Sequence, residues 1–119
     1  MFTTEGIILK HQEIRDRERS YVLFTRDYGK IRAFHKESPT RAFHDVGSSV
    51  EIGIDRKNET NRLTSIRLKS SVVLGHSFEN TSFFLSILTV ILKEIPDGGG
   101  DIVLYQDLLT LIDTSKDIS

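Results

Sequence analysis

The chain has 119 residues, 38% of them hydrophobic and 28% charged, and a net charge of -1 from 16 cations and 17 anions. That is the composition of one globular domain, or one domain with an appendage, large enough to bury a core without staples. The absence of cysteine excludes a disulfide framework, a thiolate zinc site and a Cys nucleophile, and no run reaches the ~18 apolar residues of a membrane span. The start, MFTTEGIILK, lacks the basic region and long apolar stretch of a secretory signal, so a cytoplasmic location is expected. Charge is unevenly spread. Every Lys and Arg except Lys93 and Lys116 precedes Ser71, which leaves a basic front and an acidic, apolar rear.

Residues 4 to about 75 read as β structure. Glu5 to Lys10 is a strand in which Ile7 and Leu9 alternate with Ile8, and residues 14–20 form a charged connection or the twisted end of that strand. Ser20 to Thr25 and Lys30 to Lys36 are two strands of a hairpin, joined by Arg26-Asp27-Tyr28 and by Gly29, which takes the left-handed conformation without steric cost. Residues 37–49 form the longest irregular stretch, with Pro39 and Gly47 against a long helix. Val50, Ile52 and Ile54 alternate with Glu51, Gly53 and Asp55 in a fourth strand, and Arg56 to Asn61 is a polar turn. Leu63, Ile66, Leu68 and Val72 mark a fifth strand whose other face carries Arg67 and Lys69, and the break in alternation near Thr64 suggests a bulge. Five strands with no second sheet to cover them favour a small closed barrel, which also removes exposed edges.

From Ser77 the period becomes helical. Phe84, Ile87, Leu88, Ile91, Leu92 and Ile95 form an apolar stripe that Phe83, Leu85 and Val90 widen, so this helix is buried or paired. Pro96 and the Gly98–Gly100 run end it in a flexible turn. Asp101 is placed to cap a second helix with the apolar face Leu104, Leu108, Leu111 and Ile112. The expected fold is α+β, mainly β: a five-stranded barrel of the oligonucleotide-binding type over residues 1–75, then an α-helical hairpin over residues 76–119.

Alternation along the third strand places Lys30, Arg32, Phe34 and Lys36 on one face and Ile31, Ala33 and His35 on the other. Single-stranded nucleic acid is held by a positive groove with aromatic platforms, so Arg32, Phe34 and Lys36 lead the candidate binding residues, with Lys30 beside them. Lys10, Arg67 and Lys69 follow, as do Arg15, Arg17 and Arg19, although interleaved acids make that last group equally a solvated ion-pair network. The plainer alternative is that Phe34 packs beneath the loop and the cations only solvate a sheet face. His11, His35, His44 and His76 lack the spacing of a zinc site, the triglycine run lacks the context of a phosphate loop, and no metal, cofactor or catalytic constellation is expected.

The stretch Glu5 to Arg32 resembles the amino-terminal domain of the RecO family of bacterial recombination mediators. The resemblance rests on Gly6-Ile7-Ile8-Leu9, on Asp16, Glu18 and Arg19, and above all on Leu23-Phe24-Thr25 followed after three residues by Gly29-Lys30-Ile31-Arg32-Ala33. Lys36 stands where relatives open a basic Lys-Gly-Ala-Arg loop, but here Glu37-Ser38-Pro39-Thr40 follows, so that only Lys36 and Arg41 keep charge there. Relatives also continue past the two helices, and the resemblance makes this chain a minimal member or one lacking carboxyl-terminal material.

The resemblance implies a non-catalytic protein of DNA recombination and repair that binds single-stranded DNA, anneals strands and assists recombinase loading. It favours Arg41, which belongs with Lys10, Arg67 and Lys69 among the second group of candidates and lies in the loop the family uses. It also names double-stranded DNA, single-strand binding protein and a RecR-like protein as further candidate partners. The alternative is a protein-interaction module that kept the barrel and lost most of the DNA surface.

Overall fold

The computed structural model describes residues 1–36, 44–71 and 78–114. Five strands, β1 (Phe2–Arg15), β2 (Glu18–Thr25), β3 (Gly29–Lys36), β4 (Ser48–Lys57) and β5 (Thr60–Ser71), precede two helices, α1 (Phe78–Glu94) and α2 (Ile102–Thr114). The strands close into a barrel in the order β1-β2-β3-β5-β4, with β4 returning to β1. Every neighbour is antiparallel except β3 and β5, which meet in parallel at Phe34 and Arg62. This is the expected mainly-β barrel followed by a helical pair. The β4–β5 connection is tighter than the sequence suggests: Arg56 and Asn61 are paired within the strands, and the turn is Asn58 and Glu59 with φ of 52° and 63°.

Two apolar clusters hold the fold. Ile8, Tyr21, Leu23, Ala33, Val50, Ile52, Ile54 and Leu63 fill the barrel. Ile7, Leu9, Val22 and Phe24 point outward from β1 and β2, where Phe84, Leu88 and Ile91 of α1 and Tyr105, Leu108 and Ile112 of α2 cover them. The outer wall of the barrel therefore supplies the surface that the apolar helix needs. On α2 the buried stripe is Tyr105, Leu108 and Ile112, while Leu111, expected on that face, is 42% exposed. Asp101 caps α2 as expected, its Oδ1 accepting from the amides of Val103 at 3.0 Å and Leu104 at 3.2 Å.

The register breaks at four places, two in the β1–β2 pair and two in the β4–β5 pair, and two of these bulges bear on the expected faces. Ile8 pairs with Leu23 and Lys10 with Val22, so Leu9 is the extra residue in β1. Simple alternation would put Lys10 on the same face as Ile8; the bulge sends it outward instead. Gly53 pairs with Ser65 and Ile54 with Leu63, which makes Thr64 the extra residue of β5, at the expected place.

The helical pair is fastened to the barrel through backbone. Lys30 N donates to Gly99 O at 2.8 Å, and Gly98 N donates to Lys30 O at 2.7 Å. The approach is close enough to require glycine on both sides. A Cβ on Gly29 would lie 2.4 Å from Gly99 O, and one on Gly100 would lie 2.8 Å from Gly29 Cα. The run expected to be a flexible turn is thus a docking element, bonded to the first residues of β3.

Tyr105 is fully buried, its ring edge-on to Phe24 with centroids 6.2 Å apart, and its hydroxyl has no hydrogen-bond partner among the described residues. Burial, helped by the Glu5 carboxylate, pushes its ionisation far above the ordinary tyrosine range. A buried polar group without a partner costs ~1–3 kcal/mol. Tyr105→Phe is therefore expected to leave stability unchanged or raise it by ~1 kcal/mol in urea unfolding. The docking contact gives the opposite sign. Gly100→Ala should lower the thermal midpoint clearly more than Gly98→Asn does, because a Cβ at Gly98 meets nothing within 4 Å and asparagine tolerates its φ of 81°.

Candidate nucleic-acid interface

The outward side chains of β1, β2 and β3 fall into rows across the sheet. Lys10, Val22 and Arg32 make one row, and Gln12, Ser20, Phe34 and Arg62 make the next. Neighbouring strands lie ~4.8 Å apart, so the first row sets a cation on either side of apolar Val22, while the second runs from neutral Gln12 through Ser20 and Phe34 to Arg62. Lys10, Gln12, Ser20, Val22, Arg32 and Phe34, with Glu13 and Ile14, line an open groove of about 270 Å³. Val22 and half-buried Phe34 give it an apolar floor, and Lys10 and Arg32 are exposed at its edges. Among the described residues, Lys10, Arg32 and Lys36 make no ion pair with a carboxylate. A third row holds Arg15, Glu18 and Lys36, where Glu18 takes both Arg15 at 3.3 Å and Arg62 at 3.7 Å. The expected residues Lys10, Arg32 and Phe34 thus share one groove, with Lys36 on the same face of β3.

The other expected residues are placed differently. Lys30 does begin the outward face of β3, but the residue is only 8% exposed. Its Nζ donates to Leu92 O at 2.6 Å and Ile95 O at 2.8 Å, and Asp97 stands 3.8 Å away. The last carbonyls of a helix carry its negative dipole end, so they attract and satisfy a cation that would otherwise reach solvent. Lys30 is corrected from a surface binding residue to the cap of α1. Arg67 pairs with Glu51 at 2.9 Å, and Lys69 pairs with Glu5, which also takes Arg26 at 3.2 Å. Arg67 and Lys69 therefore lie in a charge-balanced network across β1, β4 and β5, away from the groove. Arg41 lies outside the described residues.

In the segment 14–20 the charges also pair locally. Arg15 takes Glu18, and Arg19 Nη1 lies 2.9 Å from His11 Nδ1. Beside the hairpin turn, Asp27 is held below the usual carboxylate range by hydrogen bonds from Arg26 and Thr4, which orders the turn rather than the groove. No group of three or more His, Cys, Asp or Glu among the described residues is placed to hold a metal ion. No helix among them is long and apolar enough to cross a membrane.

Sequence reading missed Gln12, Ser20 and Val22 as groove residues. The sequence marks a first strand from Glu5 to Lys10 and leaves residues 14–20 as a connection or the twisted end of that strand; β1 in fact continues to Arg15, and a bulge at Leu9 leaves no mark in composition. Lys10-His11-Gln12-Glu13 is polar throughout, so no alternation marks the continuation of the strand.

The different duties of Lys30 and Arg32 can be separated by experiment. Lys30→Met should cost ~1.5–3 kcal/mol in urea unfolding, since it strips a charged donor from buried carbonyls. Arg32→Ala, at an exposed position without a carboxylate partner, should change stability by no more than ~0.5 kcal/mol.

Comparison with known proteins bears on residues 1–72, which match the family model described as recombination protein O N terminal. No curated protein matches the chain. The match takes in nearly all of the barrel, from β1 to the end of β5, and more than half of the chain. The chain belongs to the recombination protein O N-terminal family, a family of non-catalytic mediators of DNA recombination and repair.

Proposed function

We propose that the barrel binds single-stranded DNA across the β1–β2–β3 groove and so promotes strand annealing and recombinase loading. The observation that carries this reading is the row Lys10–Val22–Arg32 beside Phe34: cations without carboxylate partners among the described residues flank an apolar, aromatic floor. Phosphates are neutralised at the edges while bases stack on or lie against the centre, which is how such surfaces bind without sequence preference. Neutralising phosphates lowers the repulsion between complementary strands, which favours pairing. Lys36 extends the cationic edge, and Arg41 enters through its position in the loop that carries basic residues in relatives. In this reading residues 1–75 are the nucleic-acid module and residues 76–119 open a helical domain. Double-stranded DNA, single-strand binding protein and a RecR-like protein are the further partners, and the cytoplasm is the setting.

A second reading is supported by the helices. Phe83 and Val90, two turns apart on α1, are 68% and 58% exposed, as suits a protein-interaction surface. A salt series with a single-stranded oligonucleotide separates the two. The DNA reading expects log affinity to fall with log salt at ~0.7 per phosphate neutralised, and Arg32→Ala with Lys36→Ala to make the slope shallower by about 1.4. Absence of binding at low salt would leave the interaction module standing.

A further inference from the structure

Arg32 borders a second cavity as well as the groove. This cavity, of about 470 Å³, opens at the end of the barrel between the β2–β3 turn, the β4–β5 turn and the α1–α2 turn. The volume lies in the range of small-molecule sites, ~300–1,000 Å³. Tyr28, 44% exposed, forms one wall, and half-buried Phe2 supports its ring at a centroid distance of 4.5 Å and an interplanar angle of 52°. Arg32 and Arg56 supply cations, and among the described residues neither guanidinium pairs with a carboxylate. The remaining polar wall is rich in acceptors. Glu59 and Asp97 bring carboxylates, and Asn61 already commits its Nδ2 to Arg32 O at 3.2 Å.

We propose that this cavity is a nucleotide subsite for a strand leaving the groove. One base stacks on Tyr28, and its phosphate is held by Arg56 and Arg32. The inference rests on the single-stranded DNA reading and adds to it a fixed place for one nucleotide. Three features point to a nucleotide rather than another anion: the exposed ring buttressed from behind, the cations beside it, and the continuity with the groove through Arg32. The acceptor-rich wall selects further. Adenine, cytosine and guanine carry an exocyclic amino donor, and thymine does not. A subsite walled by carboxylates and an amide oxygen therefore favours an amino-bearing base.

The test uses the intact chain and oligodeoxynucleotides of equal length composed of adenine, cytosine or thymine, with one 2-aminopurine as a fluorescent base. Native protein should quench the 2-aminopurine and bind adenine and cytosine oligomers more tightly than thymine oligomers. Tyr28→Ala should weaken binding roughly five- to hundredfold with an unchanged salt slope, because base–aromatic stacking is uncharged. Tyr28→Phe, which keeps the ring, should bind like the native chain. Arg56→Ala, an exposed position, should make the slope shallower by about 0.7. Native-like affinity and slope in both Tyr28→Ala and Arg56→Ala, with the native chain still binding in a salt-dependent way, would overturn the subsite and leave the groove. Failure of the native chain to bind any oligomer would overturn the groove and the subsite together.

Discussion

A lysine turned away from solvent ties the two halves of this molecule together. Lys30 sits at the start of β3, and its Nζ donates to the final carbonyls of α1 while its backbone pairs with the α1–α2 turn on both sides. A buried cation is costly unless hydrogen-bonded, and a helix carboxyl terminus presents carbonyls that lack partners within the helix. Each feature relieves the other. The contact also demands glycine at Gly29 and Gly100, because the two backbones meet at a distance that leaves no room for a Cβ. With that contact made, α1 and α2 lie over Ile7, Leu9, Val22 and Phe24, and the outer wall of the barrel becomes a second core.

The same arrangement shapes the candidate binding surface. Helices cover one part of the outer wall of β1 and β2, and the bulge at Leu9 turns Lys10 outward where that cover ends. Val22 belongs to both settings: it contributes to the core under the helices and to the floor of the groove. Asp97 and Gly98 of the docking turn wall the cavity beside Tyr28. Docking of the helical pair and construction of the proposed DNA path are therefore one structural event.

Charge on this barrel is sorted by its partners rather than by its density. A net charge of -1 argues against a broad basic surface, and the family's basic loop is depleted after Lys36. Four outward cations of β1 and β5 meet carboxylates: Arg15 and Arg62 with Glu18, Arg67 with Glu51, and Lys69 with Glu5, which also takes Arg26 of the β2–β3 turn. Lys10, Arg32, Lys36 and Arg56 are among the cations that have no carboxylate partner among the described residues, and Lys10 and Arg32 frame the groove. A local path of free cations between neutral regions suits a strand of nucleic acid held along a defined route, which accords with a recombination mediator more than with an indiscriminate DNA coat.

Alternation and turn chemistry alone determined much of this protein. The hairpin around Gly29, the alternating Val50–Ile54 strand, the bulge at Thr64 and the Asp101 cap are local features, set by residues near one another in the chain. They suffice for a five-stranded barrel with a helical pair, and the motifs between Glu5 and Ala33 carry the family resemblance. Arg32 and Phe34 were legible as surface residues for the same reason, since period-two alternation fixes a face. What neighbouring residues do not encode is which distant group a side chain will meet. Lys30 and Arg32 share a face and a charge, yet the carbonyls of Leu92 and Ile95, more than 60 positions away, take only the first. Arg67 and Lys69 look as available as Arg32 until the closing barrel brings Glu51 and Glu5 beside them. Likewise Tyr105, not Leu111, enters the core, because the angle at which α2 docks decides which of its apolar residues face the barrel. Secondary structure and family came from local order, whereas the division of cations between core, ion pairs and candidate interface came from long-range contacts that only the folded chain creates.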